Sequence, residues 1–248
     1  MKRIFYILAL SAFSVAKGLT TETDALSEET RTRMREKFSR QIAAADAALE
    51  KDPQLVQAYS ARGDARLFLG DFRGAVADFE KMFSLDPKQD APHWRLGIAY
   101  YFTGDFAKSA RQFEKYHAYD GRDRENGIWR FLAQAKADGV AKARTEMLAY
   151  TRFDREPFPS LYEMFAGKKS PDDVLAEVEK KGLTTRTEVM FFANYYAGLE
   201  EHLRGNRARA LELLAKAVAS PAGRDARGGA GYMWQVARLH WERLREGK

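Results

Sequence analysis

Residues 56–89 read VQAYSARGDARLFLGDFRGAVADFEKMFSLDPKQ, and residues 90–123 read DAPHWRLGIAYYFTGDFAKSARQFEKYHAYDGRD. At an offset of 34 residues the two stretches repeat each other. Gly63 falls on Gly97, Gly70-Asp71-Phe72 on Gly104-Asp105-Phe106, and Ala75 on Ser109. Phe79-Glu80-Lys81 falls on Phe113-Glu114-Lys115, Asp86 on Asp120 and Pro87 on Gly121. Self-similarity at such a period means a stack of small, like-built units that bury their apolar faces on one another.

Each repeated residue has a physical task. Gly63 and Gly97 fall inside a helix, where glycine costs about 1 kcal/mol against alanine, and close approach of a paired helix is the return. Gly70 and Gly104 are placed to end a first helix in the left-handed conformation. Asp71 and Asp105 can cap the second helix through a side-chain oxygen. Phe72 and Phe106 suit the hairpin corner, Phe79 and Phe113 the space between the helices, and Pro87 the stop of the second helix.

The register extends outward. Residues 42–49 read as the second helix of an earlier unit whose first helix begins near Glu28. Residues 125–138 and 140–150 read as a degenerate pair around Gly139. Gly198 and Gly205 restore the spacing of Gly97 and Gly104, with Ala210, Leu214 and Ala217 at packing positions and Pro221 ending the helix. Residues 151–190 break the register, with short helices at 160–166 and from Ser170 to Lys181, the latter carrying a capping serine, Pro171 and two acids in its first turn. The amphipathic stretch Tyr232–Arg245 reads as a terminal helix covering the open end of the stack.

The period and residue types resemble the tetratricopeptide repeat. That resemblance implies an all-α solenoid, a right-handed superhelix of antiparallel helix pairs with a C-terminal capping helix. The organisation expected is a signal peptide at 1–16, a linker at 17–27, and an N-terminal array at 28–150. A helical insert at 151–190, a C-terminal repeat at 191–224 and the capping helix at 225–248 complete it. Four places carry a closer resemblance, to the NlpI-type periplasmic repeat proteins of bacteria. These are the two regular repeats, Trp129–Lys136, the insert around Leu161-Tyr162 and Phe165-Ala166-Gly167, and Phe192–Leu199. Members of that family are dimeric lipoproteins that present cell-wall hydrolases to partner enzymes. The resemblance therefore implies an envelope adaptor and a homodimer.

The N-terminus bears on location. Lys2 and Arg3 precede an apolar run from Ile4 to Phe13, and Ser14-Val15-Ala16 supplies small residues, so the pattern predicts a signal peptide cleaved after Ala16. The other reading is an uncleaved N-terminal helix. Leu10-Ser11-Ala12-Phe13 has phenylalanine where a lipobox would carry its lipidated cysteine. The chain has no cysteine at all, which excludes disulfides, thiolate metal sites and cysteine nucleophiles. The expectation is an exported protein, periplasmic or secreted, with no membrane-spanning segment once the signal is removed.

The formal net charge is +6, with 23 basic and 18 acidic residues from position 121 onward. A mixed, solvated surface accounts for that balance. With no basic run and no aromatic RNA motif, nucleic acid is not an expected partner. No catalytic constellation is present. His93, His117, His202 and His240 lack metal-binding spacing, and there is no nucleophile elbow, phosphate-cradling loop or zinc signature. Neither cofactor nor metal is expected, and an enzyme is the least supported reading.

Binding is then the expected activity, through other proteins. In a stack of helix pairs the first helices line a concave face. Projection of the register puts Asp64, Trp94, Ile98, Tyr101, Ile128, Phe192, Tyr195 and His202 on it, beside Ser60, Leu67, Leu132 and Leu199. This trough is either an open groove or a core filled by residues 151–190 or by the terminal helix. Ser60, Asp64, Trp94 and Ile98 do not form the basic clamp by which some such repeats grip a terminal carboxylate. The leading expectation is an adaptor that recruits envelope proteins, hydrolases or a protease among them. The alternative is a structural subunit of an envelope assembly or secretion complex.

Overall fold

A computed structural model describes residues 25–224 and 228–247. The signal peptide expected at 1–16 lies outside the described residues. The described residues are helical, without a strand.

The first helix, α1 (Glu28–Lys51), is continuous, so the break expected ahead of residue 42 is absent. No glycine or proline falls between positions 28 and 51, and nothing ends the backbone ladder there. Ser27 caps it, with Glu28 and Glu29 in its first turn. Leu26, within the expected linker, is buried against the core.

Two helix pairs follow, α2 (Val56–Phe68) with α3 (Phe72–Leu85) and α4 (Trp94–Thr103) with α5 (Phe106–Tyr119). Their closeness has a measurable cause. A Cβ on Gly63 would stand 2.6 Å from the Phe79 ring, and one on Gly97 would stand 2.7 Å from the Phe113 ring. Each phenylalanine is fully buried in the room its glycine leaves, a burial that contributes on the order of 2 kcal/mol. Gly70 and Gly104 close the first helices at φ +84° and +87°. Asp71 accepts from the Gly74 amide at 2.9 Å and caps α3. Asp105 makes no such bond. It accepts instead from the Thr103 hydroxyl at 3.2 Å. Pro87 opens a short 3-10 turn (Pro87–Gln89) beyond α3. Arg62 ties three helices together, donating to Asp46 of α1 at 2.6 Å and to buried Asp78 of α3 at 2.6 Å.

The degenerate pair is shorter than expected. Helix α6 (Arg124–Asp138) is regular, but α7 (Val140–Thr145) ends five residues before Tyr150. Residues 146–150 run without helix, and there Glu146 and Leu148 give backbone carbonyls to Arg130 and Tyr162. Within the insert, α8 (Phe158–Phe165) begins two residues earlier than expected, and α9 (Pro171–Lys180) opens on a reciprocal Ser170–Asp173 capping box.

Helices α10 (Thr187–Leu203) and α11 (Arg207–Ala219) form the last pair. A Cβ on Gly198 would meet Leu214 at 2.9 Å, and Gly205 turns at φ +83°. Ala210, Leu214 and Ala217 are buried, as the register requires. Pro221 does not end α11 directly. It begins a four-residue turn, α12 (Pro221–Arg224), ahead of α13 (Gly229–Arg245).

Candidate protein-binding trough

Helix α13 buries Met233, Trp234, Val236, Ala237, Leu239, Trp241 and Leu244, an apolar set wider than a single stripe. Such a helix requires cover on more than one side. It packs mainly against α11, and its side chains also reach α2, α4, α6 and α10. Helix α13 thus lies beside the last pair and covers part of the projected groove, while α8 of the 151–190 insert covers another part, the Phe158 ring lying 5.0 Å from Phe192.

The contacts run the length of the helix. The Tyr232 ring meets Trp94 edge-on, with centroids 4.7 Å apart, and Phe68 at the same distance. Buried Arg238 donates to the Phe68 carbonyl at 2.6 Å and to Glu242 at 2.5 Å. The His240 ring sits among Tyr101, Phe102 and Trp129, and its Nδ1 lies 2.9 Å from the Tyr195 hydroxyl. From outside, Arg31 of α1 pairs with Glu242 at 2.8 Å, and Trp234 donates to the Val218 carbonyl of α11 at 2.9 Å.

The residues projected onto the groove therefore divide into two groups. Ile98, Ile128, Phe192 and Tyr195 are core, each at most 2% exposed. Asp64, Trp94, Tyr101 and His202 remain half-buried. Asp64 pairs with Arg95, which also donates to Ser60 at 3.2 Å, and burial pushes the Asp64 carboxyl up to about 6. Trp94 and Phe192 line a cavity of about 440 Å³ at one end of α13, and Tyr101 and His202 line one of about 290 Å³ at the other.

The first cavity lies where four helices begin. Trp94 of α4, Glu125 of α6, Glu188 of α10 and Gly229 of α13 all border it. Carboxylates placed there complement the positive ends of the helices. Glu125 is buried, accepts from the Tyr196 hydroxyl at 2.5 Å and pairs with Arg155 at 2.6 Å. The Trp129 indole donates to Tyr196 at 3.1 Å, which extends the chain of bonds inward. Burial pushes the Glu125 carboxyl up to about 7, against the pull of the Arg155 guanidinium. Arg155 itself stacks over Phe158 at 4.1 Å. The Asn126 amide, 5% exposed, lines this cavity without a hydrogen bond among the described residues.

The second cavity lies where α4, α6, α10 and α13 finish, with Lys136, His202 and Arg243 on its wall. Burial and the nearby Lys136 and Arg207 cations lower the His202 pKa. Burial likewise takes His240 down to about 3, so it is neutral at ordinary pH. His93, next to Trp94, is also packed. It is stacked on Phe79 and Phe83, accepts from the Leu96 amide at 3.3 Å, and is taken by burial down to about 3.

Sequence reasoning missed Glu125, Asn126, Arg155, Lys136, His240 and Arg243. A usable signal was present in the order of charges, acidic at the starts of α6 and α10 and basic at the ends of α6 and α13. Among the described residues no group of His, Asp and Glu could hold a metal ion, and no helix is long and apolar enough to cross a membrane.

No protein-family model matches the chain. A stretch of 52 residues is 44% identical to a mouse protein described as FK506-binding protein-like, covering 21% of this chain and 15% of that protein. The chain thus spans well under two thirds of that relative's length.

Proposed function

We propose that this chain is a tetratricopeptide-type adaptor whose trough receives an amphipathic helix from a partner protein, in exchange for its own α13. The observation that carries this reading is the seating of α13. Its buried side chains reach the inner helices, held by aromatic edges and a few polar bonds. A surface that accepts one such helix has the width, the apolar floor and the polar anchors to accept another. Trp94, Tyr101 and His202 stay partly exposed beside it and give an incoming segment its first contacts. The glycine-for-phenylalanine packing in both regular repeats supports the repeat assignment. The Lys2–Ala16 pattern and the resemblance to NlpI-type proteins support placing this work in the cell envelope.

The test exploits the absence of cysteine. Gln235 Nε2 of α13 lies 3.8 Å from Met34 Sδ of α1. Met34→Cys and Gln235→Cys, bridged by a short bismaleimide, would pin α13 in the trough. The unbridged protein is expected to retain partners from envelope extracts, and the bridged protein is expected to lose them. Equal retention by both forms would refute helix exchange, and no retention by either would refute the adaptor reading.

A further inference from the structure

We propose that the cavity at the C-terminal end of α13 is a binding site for an amphipathic anion, an aliphatic chain that carries a carboxylate or phosphate head. The inference is independent of helix exchange, because the cavity exists with α13 seated. Its walls are apolar, with Phe102, Phe106, Leu132, Leu199, Leu203 and Leu244 enclosing about 290 Å³. Its charged groups are donors. Lys136 and Arg243 line it, and neither has a carboxylate partner among the described residues. The Arg243 guanidinium instead lies 5.5 Å from the centre of the Phe72 ring. Tyr101 also lines the cavity, and its hydroxyl makes no hydrogen bond among the described residues. No aspartate or glutamate lines the cavity.

The helix ends there account for these cations only in part. Such an end carries about half a negative charge on its last carbonyls, and several of those carbonyls are already bonded. Gly104 and Asp105 amides close α4, and Gly205 and Asn206 amides close α10. Arg207 donates to the Leu244 carbonyl at 2.8 Å and to Arg245 at 3.3 Å, closing α13. Neither Lys136 nor Arg243 takes part in these closures, and neither has a carboxylate partner among the described residues.

His240 adds a second observation. If its Nδ1 accepts from the Tyr195 hydroxyl, its Nε2 carries the proton, and that buried atom has no acceptor. The reverse tautomer would leave both Nε2 and the Tyr195 proton unanswered. Beside the cavity there is thus one more donor than the protein itself can satisfy. The downward shifts of His202 and His240 come from burial and from neighbouring basic groups, with no carboxylate among their causes. An anionic head bound between Lys136, Arg243 and Tyr101 would supply the missing acceptor, and an aliphatic chain would cover the leucine and phenylalanine wall.

Calorimetry of the full chain with decanoate and with decyl phosphate, each below its micelle concentration, tests the site. Binding of one molecule per chain is expected, with a dissociation constant on the order of 10 μM. Tighter decanoate would mark a free fatty acid as the source, and tighter decyl phosphate a phosphate-headed lipid. Lys136 is exposed, so Lys136→Glu should fold normally, and it should weaken binding at least about tenfold, as should Arg243→Gln. The site would be overturned by equal binding of decylammonium, by undiminished binding in Lys136→Glu with an unchanged helical spectrum, or by no saturable binding of either anion.

Discussion

Where α4, α6, α10 and α13 begin, Glu125 accepts from both Arg155 and Tyr196, and Asp123 lies 3.6 Å from the same guanidinium. Where those helices finish, Lys136 and Arg243 stand with no carboxylate beside them. The sign of charge at each end follows the helix dipoles. The degree of pairing does not. One end has its buried charges partnered by side chains of the same chain and works as structure. The other holds donors in excess around an apolar hollow, so its charges are unexplained by stability. Charge sign alone is a poor guide to a binding site, and unmatched charge beside apolar surface is a better one.

The broadest way to break this contrast is to loosen the helix that spans both ends. Trp234→Ala should lower unfolding free energy by about 3–5 kcal/mol in urea titration, through the lost ring and the void it leaves. If the loss were under 1 kcal/mol, α13 would not be holding the trough together.

The next largest effect should come from the paired end. Arg155→Ala removes the partner of a buried carboxyl, and because Arg155 is itself partly exposed, a loss of about 1–2 kcal/mol is expected. The loss should depend on pH. Glu125 is held above its ordinary value, so the stability of its neutral, buried form is complete below about 4.5 and is lost as pH rises through about 7. Without Arg155 the ionised form has less support, and the variant should suffer more at pH 8 than at pH 5. A pH-independent loss would show that Arg155 acts through its stacking on Phe158.

A smaller effect is expected at the centre. Tyr195→Phe removes the hydroxyl bonded to His240 and should cost about 1 kcal/mol by the same titration. His240 is held below its ordinary value, so its contribution is present above pH 6.5 and is lost as pH falls toward about 3. His240→Phe should flatten that acid limb, and an unchanged limb would assign it to His93 or other groups. The smallest effect belongs to the unpaired end. Lys136→Ala should leave stability within about 0.5 kcal/mol of the parent, or raise it slightly, because no partner is lost. A loss above 1 kcal/mol would mean that Lys136 serves the fold after all.

The repeat was legible because its demands are local. A glycine seven residues ahead of another, followed by Asp-Phe, states a helix, a left-handed turn and a second helix without reference to anything distant. Phe79 and Phe113 were placed correctly for the same reason. Residues set by competition were not legible. Asp105 could cap α5 by type, but Thr103 two residues away takes its oxygen. The period suggested a break inside α1, yet no breaker residue supplies one. The position of α13 was legible only as an alternative, a cover for the end of the stack or a filling of the trough. An apolar stripe declares that a face is buried, and the open end of a stack and its trough offer equal cover to such a stripe. The partners are distant in sequence, and α13 takes both kinds, α11 through Trp234 and the inner helices through Tyr232, Arg238 and His240.

Helix α13 also follows in the chain every element whose inner face it covers. At ribosomal rates of about 5–20 residues per second, the aromatic floor laid down by α4 and α6 waits on the order of ten seconds for its cover. During that interval the chain is an incomplete core, and Trp94, Tyr101, Trp129 and Tyr195 meet whatever solvent or chaperone surrounds it. A premature stop codon between α11 and α13 would make the interval permanent. Such a lesion would remove only a tenth or so of the residues, yet it should turn a folded product into a sticky one, recovered in inclusion bodies or cleared by proteases.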